Sequence, residues 1–265
     1  MFLTSGATSP LLPEQVPKYL FLACFGDNVQ AAAGAEWAYE VLKARTVAVL
    51  YKQDSTYAQL LHGYFETRFK ELGGEVVAVE PYTLDPTEFA SEVRTLPAAD
   101  VIYLAAQPDD VALAVPALRK AGIETPILGG DGLDIGQAWA TVTAARRIYF
   151  TTHAYLGADN KSPAVRDFRA AFAKAYPDKE PDAFTALGYD AARLLMTAIE
   201  NAGSTNPQAV REALAATTDF DGVTGTISYV AGSQIPVKSV TIMEVDGGRQ
   251  SFVANVLPKK VPPPR

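Results

Sequence analysis

TVAVLYKQDSTYAQLLHGYFETRFKELGGEVVAVEPY, residues 46–82, carries one complete period of the pattern that decides this chain's fold. TVAVLY (46–51) is short, apolar and β-branched, and reads as a buried strand. YAQLLHGYFETRFKELG (57–73) repeats apolar residues at helical spacing and stops at Gly73-Gly74, the signature of a helix that ends in a turn. EVVAVEPY (75–82) is again a strand. Two strands separated by a helix of this length predict a right-handed crossover between parallel neighbours.

The same alternation extends outward. VQAAAGAEWAYEVLKA (29–44), PTEFASEVRTL (86–96) and DDVALAVPALRKAG (109–122) read as helices, while ADVIYLAA (99–106), TPILGG (125–130) and RIYFTT (147–152) read as strands. The expected architecture is α/β, a doubly wound parallel sheet with helices on both faces. After residue 155 the texture changes. SPAVRDFRAAFAKAYP (162–177), DAFTALGYDAARLLMTAIENAG (182–203) and NPQAVREALAAT (206–217) are three helices with no strand between them. FDGVTGTISYV (220–230) and KSVTIMEVDGGRQSFVANVLP (238–258) are strand-rich, the second a hairpin about Asp246-Gly247-Gly248, and VPPPR reads as a frayed tail. The three helices have only the short run MFL (1–3) to cover, an imbalance expected of a two-lobed protein whose first lobe is incomplete in this chain. The expected division is 1–26, the end of lobe one with a ligand loop; 27–152, lobe two; 153–222, a return to lobe one; and 223–265, a third crossover with the C-terminal strands.

Composition narrows the function. The 265 residues carry a formal net charge of −7 with Lys and Arg scattered, whereas a nucleic-acid partner calls for a clustered positive footprint. Cys24, the single cysteine, sits in LFLACFG and reads as a small buried hydrophobe. His62 and His153 have no Cys or second His at ligand spacing, so no metal site is expected. No cofactor motif and no enzyme is expected either: Gly-x-Ser-x-Gly, the phosphate-binding loop and Gly-x-Gly-x-x-Gly are all missing. No apolar run approaches the roughly 18 residues of a membrane span, and residues 1–15 lack the features of a signal peptide.

Two stretches carry polar chemistry at strand ends. In TSGATSP (4–10), Gly6, Ala7 and Thr8 precede Ser9-Pro10, which reads as a helix start; backbone N–H groups and the Thr8 hydroxyl there suit a carboxylate. Thr8 or Ser9 as a plain helix cap explains the same residues. In GGDG (129–132), Asp131 follows the strand PIL at its carboxyl end, where open α/β sheets place their ligands. A turn-forming Asp between glycines is the alternative.

SGATSP, LFLACFGDNVQAAAGAEWA, TVAVLYKQDSTYAQLL, KELGGEVV, PTEFASEV, ADVIYLAAQPDDVALAVPALRKAGI, PILGGDGL, FTALGYDAARLLMTAI, NPQAVREAL and FDGVTGTISYV follow one another in a known order. Over residues 1 to 258 the chain resembles type I periplasmic solute-binding proteins, specifically the branched-chain amino acid (Leu/Ile/Val-type) substrate-binding subunits of ABC importers. The resemblance implies an extracytoplasmic protein that binds a small amino acid between two lobes and delivers it to a membrane permease. It implies that the Thr8 hydroxyl and amide take the α-carboxylate, that the Gly6 carbonyl takes the ammonium, and that an acidic Asp131 pairs with the ammonium from the other lobe. A second carboxylate-binding Ser of the family lies upstream of Met1.

Tyr57 in DSTYAQ matches the family's lobe-two Tyr, with Ala58 where a Gly is usual, although packing of a helix-start aromatic accounts for it equally. Ala106 stands where amino-acid binders often carry a second Tyr, which opens the pocket to a bulkier or aromatic ligand. Aromatic acids, amides or urea in the same import role, or a ligand-sensing receptor domain, are the alternatives. Tyr189-Asp190 reads as helix packing with a buried hydrogen bond, and His153 as a structural histidine. Hinges are expected near Phe25-Asp27, His153-Tyr155 and Thr224-Ser228.

Overall fold

A computed structural model describes residues 1–83, 85–230 and 232–265, without the side chains of residues 86–88. The chain divides into two units: Met1–Gly26 with His153–Val240 and Pro264, and Asp27–Thr152 with Thr241–Pro263 and Arg265. The third crossing expected at residues 224–228 lies inside the first unit, and the chain changes unit at Val240 instead. The strand-rich 220–230 segment closes on itself there, as a separate two-stranded hairpin of β8 (Phe220–Gly222) with β9 (Gly225–Ile227).

The second unit holds a seven-stranded sheet. Its members are β3 (Thr46–Lys52), β4 (Glu75–Tyr82), β5 (Val101–Ala105), β6 (Ile127–Gly129), β7 (Ile148–Thr152), β10 (Val240–Asp246) and β11 (Arg249–Val256). Their order is β11-β10-β7-β6-β5-β3-β4. From β4 to β7 all pairs are parallel, with Val47 opposite Val101, and Ile127 opposite both Ile102 and Ile148. β10 runs antiparallel to β7, and a turn at Gly247-Gly248, both with positive φ, leads into β11. Every residue of β5 and β6 is buried, as a parallel sheet covered on both faces requires.

Helices α2 (Asp27–Glu40) and α3 (Thr56–Glu71) pack on this sheet, with α4 (Pro86–Thr95) and α5 (Val111–Lys120) completing the crossovers. The core joins Trp37, Phe65, Phe69, Val49 and Tyr103, with the Phe65 and Tyr103 rings stacked at 3.7 Å. α3 begins where Ser55 accepts a hydrogen bond from the Ala58 N–H through its side chain, a helix cap that fixes the position of Tyr57 in the first turn. Because β3 is followed in space by β4 on one side and β5 on the other, the order reverses between β3 and β5. That reversal opens the carboxyl edge of the sheet to a ligand.

VPPPR is not frayed. The Asn28 amide donates to the Pro262 carbonyl at 2.8 Å, the Lys259 and Lys260 N–H groups donate to the Glu36 carboxylate, and Arg265 exchanges backbone hydrogen bonds with the Tyr64 hydroxyl. Three consecutive prolines stiffen the segment, and the Pro262 carbonyl and the flanking Lys259, Lys260 and Arg265 amides find partners on α2 and α3.

In the first unit, β1 (Phe2–Thr4) pairs in parallel with β2 (Leu20–Leu22), a strand that the apolar run LFLACF hid as a generic buried stretch. Ser9-Pro10 does not open a helix: α1 is one turn, Leu12–Gln15, with Pro13 in its first turn. α7 (Ala183–Ala202) and α8 (Pro207–Ala215) pack around a core of Phe21, Leu194, Val210, Leu214, Ile227 and Tyr229, while α6 (Pro163–Ala175) packs through Val165 and Phe168 in a separate cluster with Leu156, Ala186 and Val223. Asp190, fully buried on α7, accepts from the Val223 and Thr224 N–H groups at 2.8 Å each and from the Thr224 hydroxyl.

Candidate functional site

Asp131 opens a short helical turn directly after β6, and its carboxylate is 5% exposed. Its Oδ1 accepts from the Tyr57 hydroxyl at 2.6 Å and from the Gln30 side-chain amide at 2.8 Å. Gln30 Oε1 in turn accepts from the Asp131 N–H at 3.0 Å and from the Thr151 hydroxyl at 2.8 Å. The second amide hydrogen of Gln30 goes to Asp27 Oδ1 at 3.0 Å. Tyr57 Oη also accepts from the Gly132 N–H at 3.2 Å. Residues from α2, α3, β7 and the loop after β6 thus meet at the carboxyl edge of one sheet.

The glycines around Asp131 are there for space. Gly129, Gly130 and Gly132 lack positive φ, yet a Cβ at Gly132 would overlap the Ala106 carbonyl oxygen, and one at Gly130 would press on the Tyr57 hydroxyl and Leu61. GGDG does make a turn, with the Leu133 N–H bonded to the Gly130 carbonyl and the Asp134 N–H to the Asp131 carbonyl, but no positive φ demands its glycines: they leave room for the neighbouring loops. Burial and the charges of Asp131 and Asp27 push the Tyr57 phenol well above its ordinary value, so it remains a donor to Asp131.

The flanking loops are braced by a second polar cluster. Asp110, fully buried, pairs with Lys52 at 3.0 Å and accepts from the Tyr82 hydroxyl and the Gln107 N–H. The Gln107 side chain donates to Ser55, the residue that caps α3. Thus the β5–α5 loop and the start of α3 hold each other, and Ala106 and Tyr57 with them.

Within the first unit, the Ala7 N–H donates to Thr4 Oγ1 at 3.0 Å, closing a turn, and Cys24 Sγ lies 3.6 Å from the Ala7 carbonyl. Gly6 and Ala7 are exposed. Thr8 is 7% exposed, and among the described residues neither its hydroxyl nor its N–H has a hydrogen-bond partner. The helix start expected directly after this loop is not there, because the one-turn α1 begins only at Leu12. His153 is buried, its ring stacked on Phe25 at 3.9 Å.

Gln30, Asp27 and Thr151 were not singled out by the motifs. Their signal is GDNVQAAAGA: a Gln three residues after an Asp, in a helix whose other residues are small and apolar. Among the described residues there is no group of three or more His, Cys, Asp or Glu placed to hold a metal ion, and no helix is long and apolar enough to cross a membrane.

A buried acidic residue at the carboxyl edge of a parallel sheet fits a solute binder, and the family model described as periplasmic binding protein matches residues 1–250. The chain belongs to that family. Among relatives of this periplasmic binding protein, Leu/Ile/Val-binding protein homolog 3 of Brucella melitensis is 28% identical over 254 residues, 94% of this chain and 67% of that protein. Leu/Ile/Val-binding protein homolog 1 of Brucella abortus is 26% identical, with 86% of this chain aligned to 60% of its own length. The crystal structure of the leucine binding protein LivK from Thermotoga maritima superposes with a TM-score of 0.85 at 32% identity, covering 97% of this chain and 73% of that one. LivJ from Streptococcus pneumoniae, in complex with isoleucine, gives 0.79 at 28%, covering 95% and 72%. These family members are solute-binding proteins, and the family's location is extracytoplasmic.

Proposed function

We propose that this periplasmic binding protein takes up a free amino acid of the branched-chain class and delivers it to the permease of an ABC importer. The observation that carries the reading is Asp131, a buried carboxylate held in place by Tyr57 and Gln30 at the carboxyl edge of the sheet, after the strand next to β5. A buried carboxylate is costly unless a cation or donors meet it, and an α-ammonium is such a cation. In this reading Asp131 and Tyr57 take the ammonium; Thr8, in a loop shaped by Gly6 and Ala7, offers a hydroxyl and an N–H of the kind a carboxylate takes. The named relatives bind leucine or isoleucine, which supports the ligand class.

Ala106 favours a second reading, a bulkier aromatic acid or an amide, because a residue this small stands at the end of β5, its carbonyl against Gly132 of the Asp131 loop. Thermal unfolding with leucine, isoleucine, valine, benzoate and acetamide separates the two. The aliphatic amino acids should raise the unfolding midpoint of the parent and leave Asp131→Ala unmoved. Stabilisation by benzoate alone, equal in parent and variant, would discard the amino-acid reading.

A further inference from the structure

Gln30 is fully buried and its side-chain amide is used to capacity, with two donors and two acceptor positions all engaged. Two of the four bonds go to the same residue. Oε1 accepts the Asp131 backbone N–H while Nε2 donates to the Asp131 carboxylate, so one planar amide spans the backbone and side chain of residue 131 and fixes the torsion between them. Tyr57 bonds the same Oδ1 but its own hydroxyl can rotate about one torsion; the Gln30 clasp cannot, because Thr151 and Asp27 hold its other two valences. A glutamate of identical shape could not do this, since it has no hydrogen to give either carboxylate.

We infer that Gln30 is a positioning residue that aims the Asp131 carboxylate at the ligand's ammonium group, and so sets the preference for amino acids over the same acids lacking the amino group. The inference rests on the reading of Asp131 given above. Gln30 itself touches no ligand in this scheme; it acts through residue 131. Removing it leaves the carboxylate present and still bonded to Tyr57 but without the amide that ties it to its own backbone N–H, which weakens recognition of the positive end without altering recognition of the negative end.

The test uses L-leucine and its des-amino analogue, 4-methylpentanoate, measured by calorimetry on the full chain. The parent should prefer leucine, and Gln30→Met, of similar volume, should lose about ten-fold of that preference, the size of one hydrogen bond to a charged group, through leucine alone. A purely structural role would weaken both ligands equally and leave the ratio as in the parent, and that result overturns the inference. Thr151→Val, which removes only the donor to Gln30 Oε1, guards against a Met variant that fails to fold; it should lower the same ratio about three-fold, and an unchanged ratio also counts against Gln30. A parent that binds leucine and 4-methylpentanoate alike overturns the Asp131 reading and the inference together, whereas a parent that prefers leucine with both variants unchanged overturns the inference alone.

Discussion

At Gly132 a single methyl group decides whether the site exists. The Ala106 carbonyl occupies the space a Cβ would need, and both partners are backbone, so neither can rotate away. Gly132→Ala should therefore cost about 2 kcal/mol or more, in the range of overpacked buried positions, and chemical denaturation should show it as a lowered midpoint with an unchanged slope. Tyr57→Phe is the gentler probe. It removes the 2.6 Å bond to Asp131 while keeping the ring, and should weaken leucine binding about ten-fold in a calorimetric titration. Asp131 was singled out in the sequence as a glycine-flanked acid at a strand end and Tyr57 through the family resemblance, and the structure hydrogen-bonds the two to each other. Gln30 was not, because a polar residue in the third position of a helix looks like solvent-facing capping until the strands beneath it are placed.

Between elements, the joint of α2 with α3 depends on Glu36. Its carboxylate accepts from Arg68 Nε and Nη2, at 2.9 and 2.6 Å, and from the N–H groups of the C-terminal segment. Glu36→Gln leaves a buried guanidinium short of its counter-charge and should lower stability by roughly 3 kcal/mol in urea unfolding. The same helices bear Gln30 and Tyr57 near their N-termini, so the loss should carry into ligand affinity. In the first unit, Lys238 is 2% exposed and donates to the Ala23 carbonyl and to Thr224 Oγ1. Burial, partly offset by Asp190, brings its ammonium down to about 8 from an ordinary 10.5. The sign follows from proton counting: between those two values the unfolded chain holds the proton that the folded chain has released, so stability rises with pH across that window. Unfolding free energies measured from pH 7 to about 10.5 should climb by up to roughly 3 kcal/mol from this group, and Lys238→Met should flatten that climb.

For the whole molecule, a ligand that binds only the folded chain must stabilise it. At a hundred-fold excess over Kd the gain is about 2.7 kcal/mol, a rise of roughly 5–10 °C in Tm for a chain of this size, and leucine in a calorimetric scan should produce it. The parallel order of β3 to β7 was readable in advance, since each strand and crossover helix declares itself through local periodicity, and so was membership of the periplasmic binding protein family. The third change of unit was misplaced, because residues 220–230 look like any strand-rich connection and only their closure into the β8–β9 hairpin moves the crossing to Val240. What the amino-acid order determined alone was whatever depends on neighbours a few residues apart: the alternation of elements, the glycine-flanked acid, the absence of a basic stripe. The docking of the proline-rich end on Glu36 and the clasp of Gln30 on Asp131 join residues 223 and 101 positions apart, and such pairings form only when the packed sheet excludes water and leaves each polar group a single partner to find.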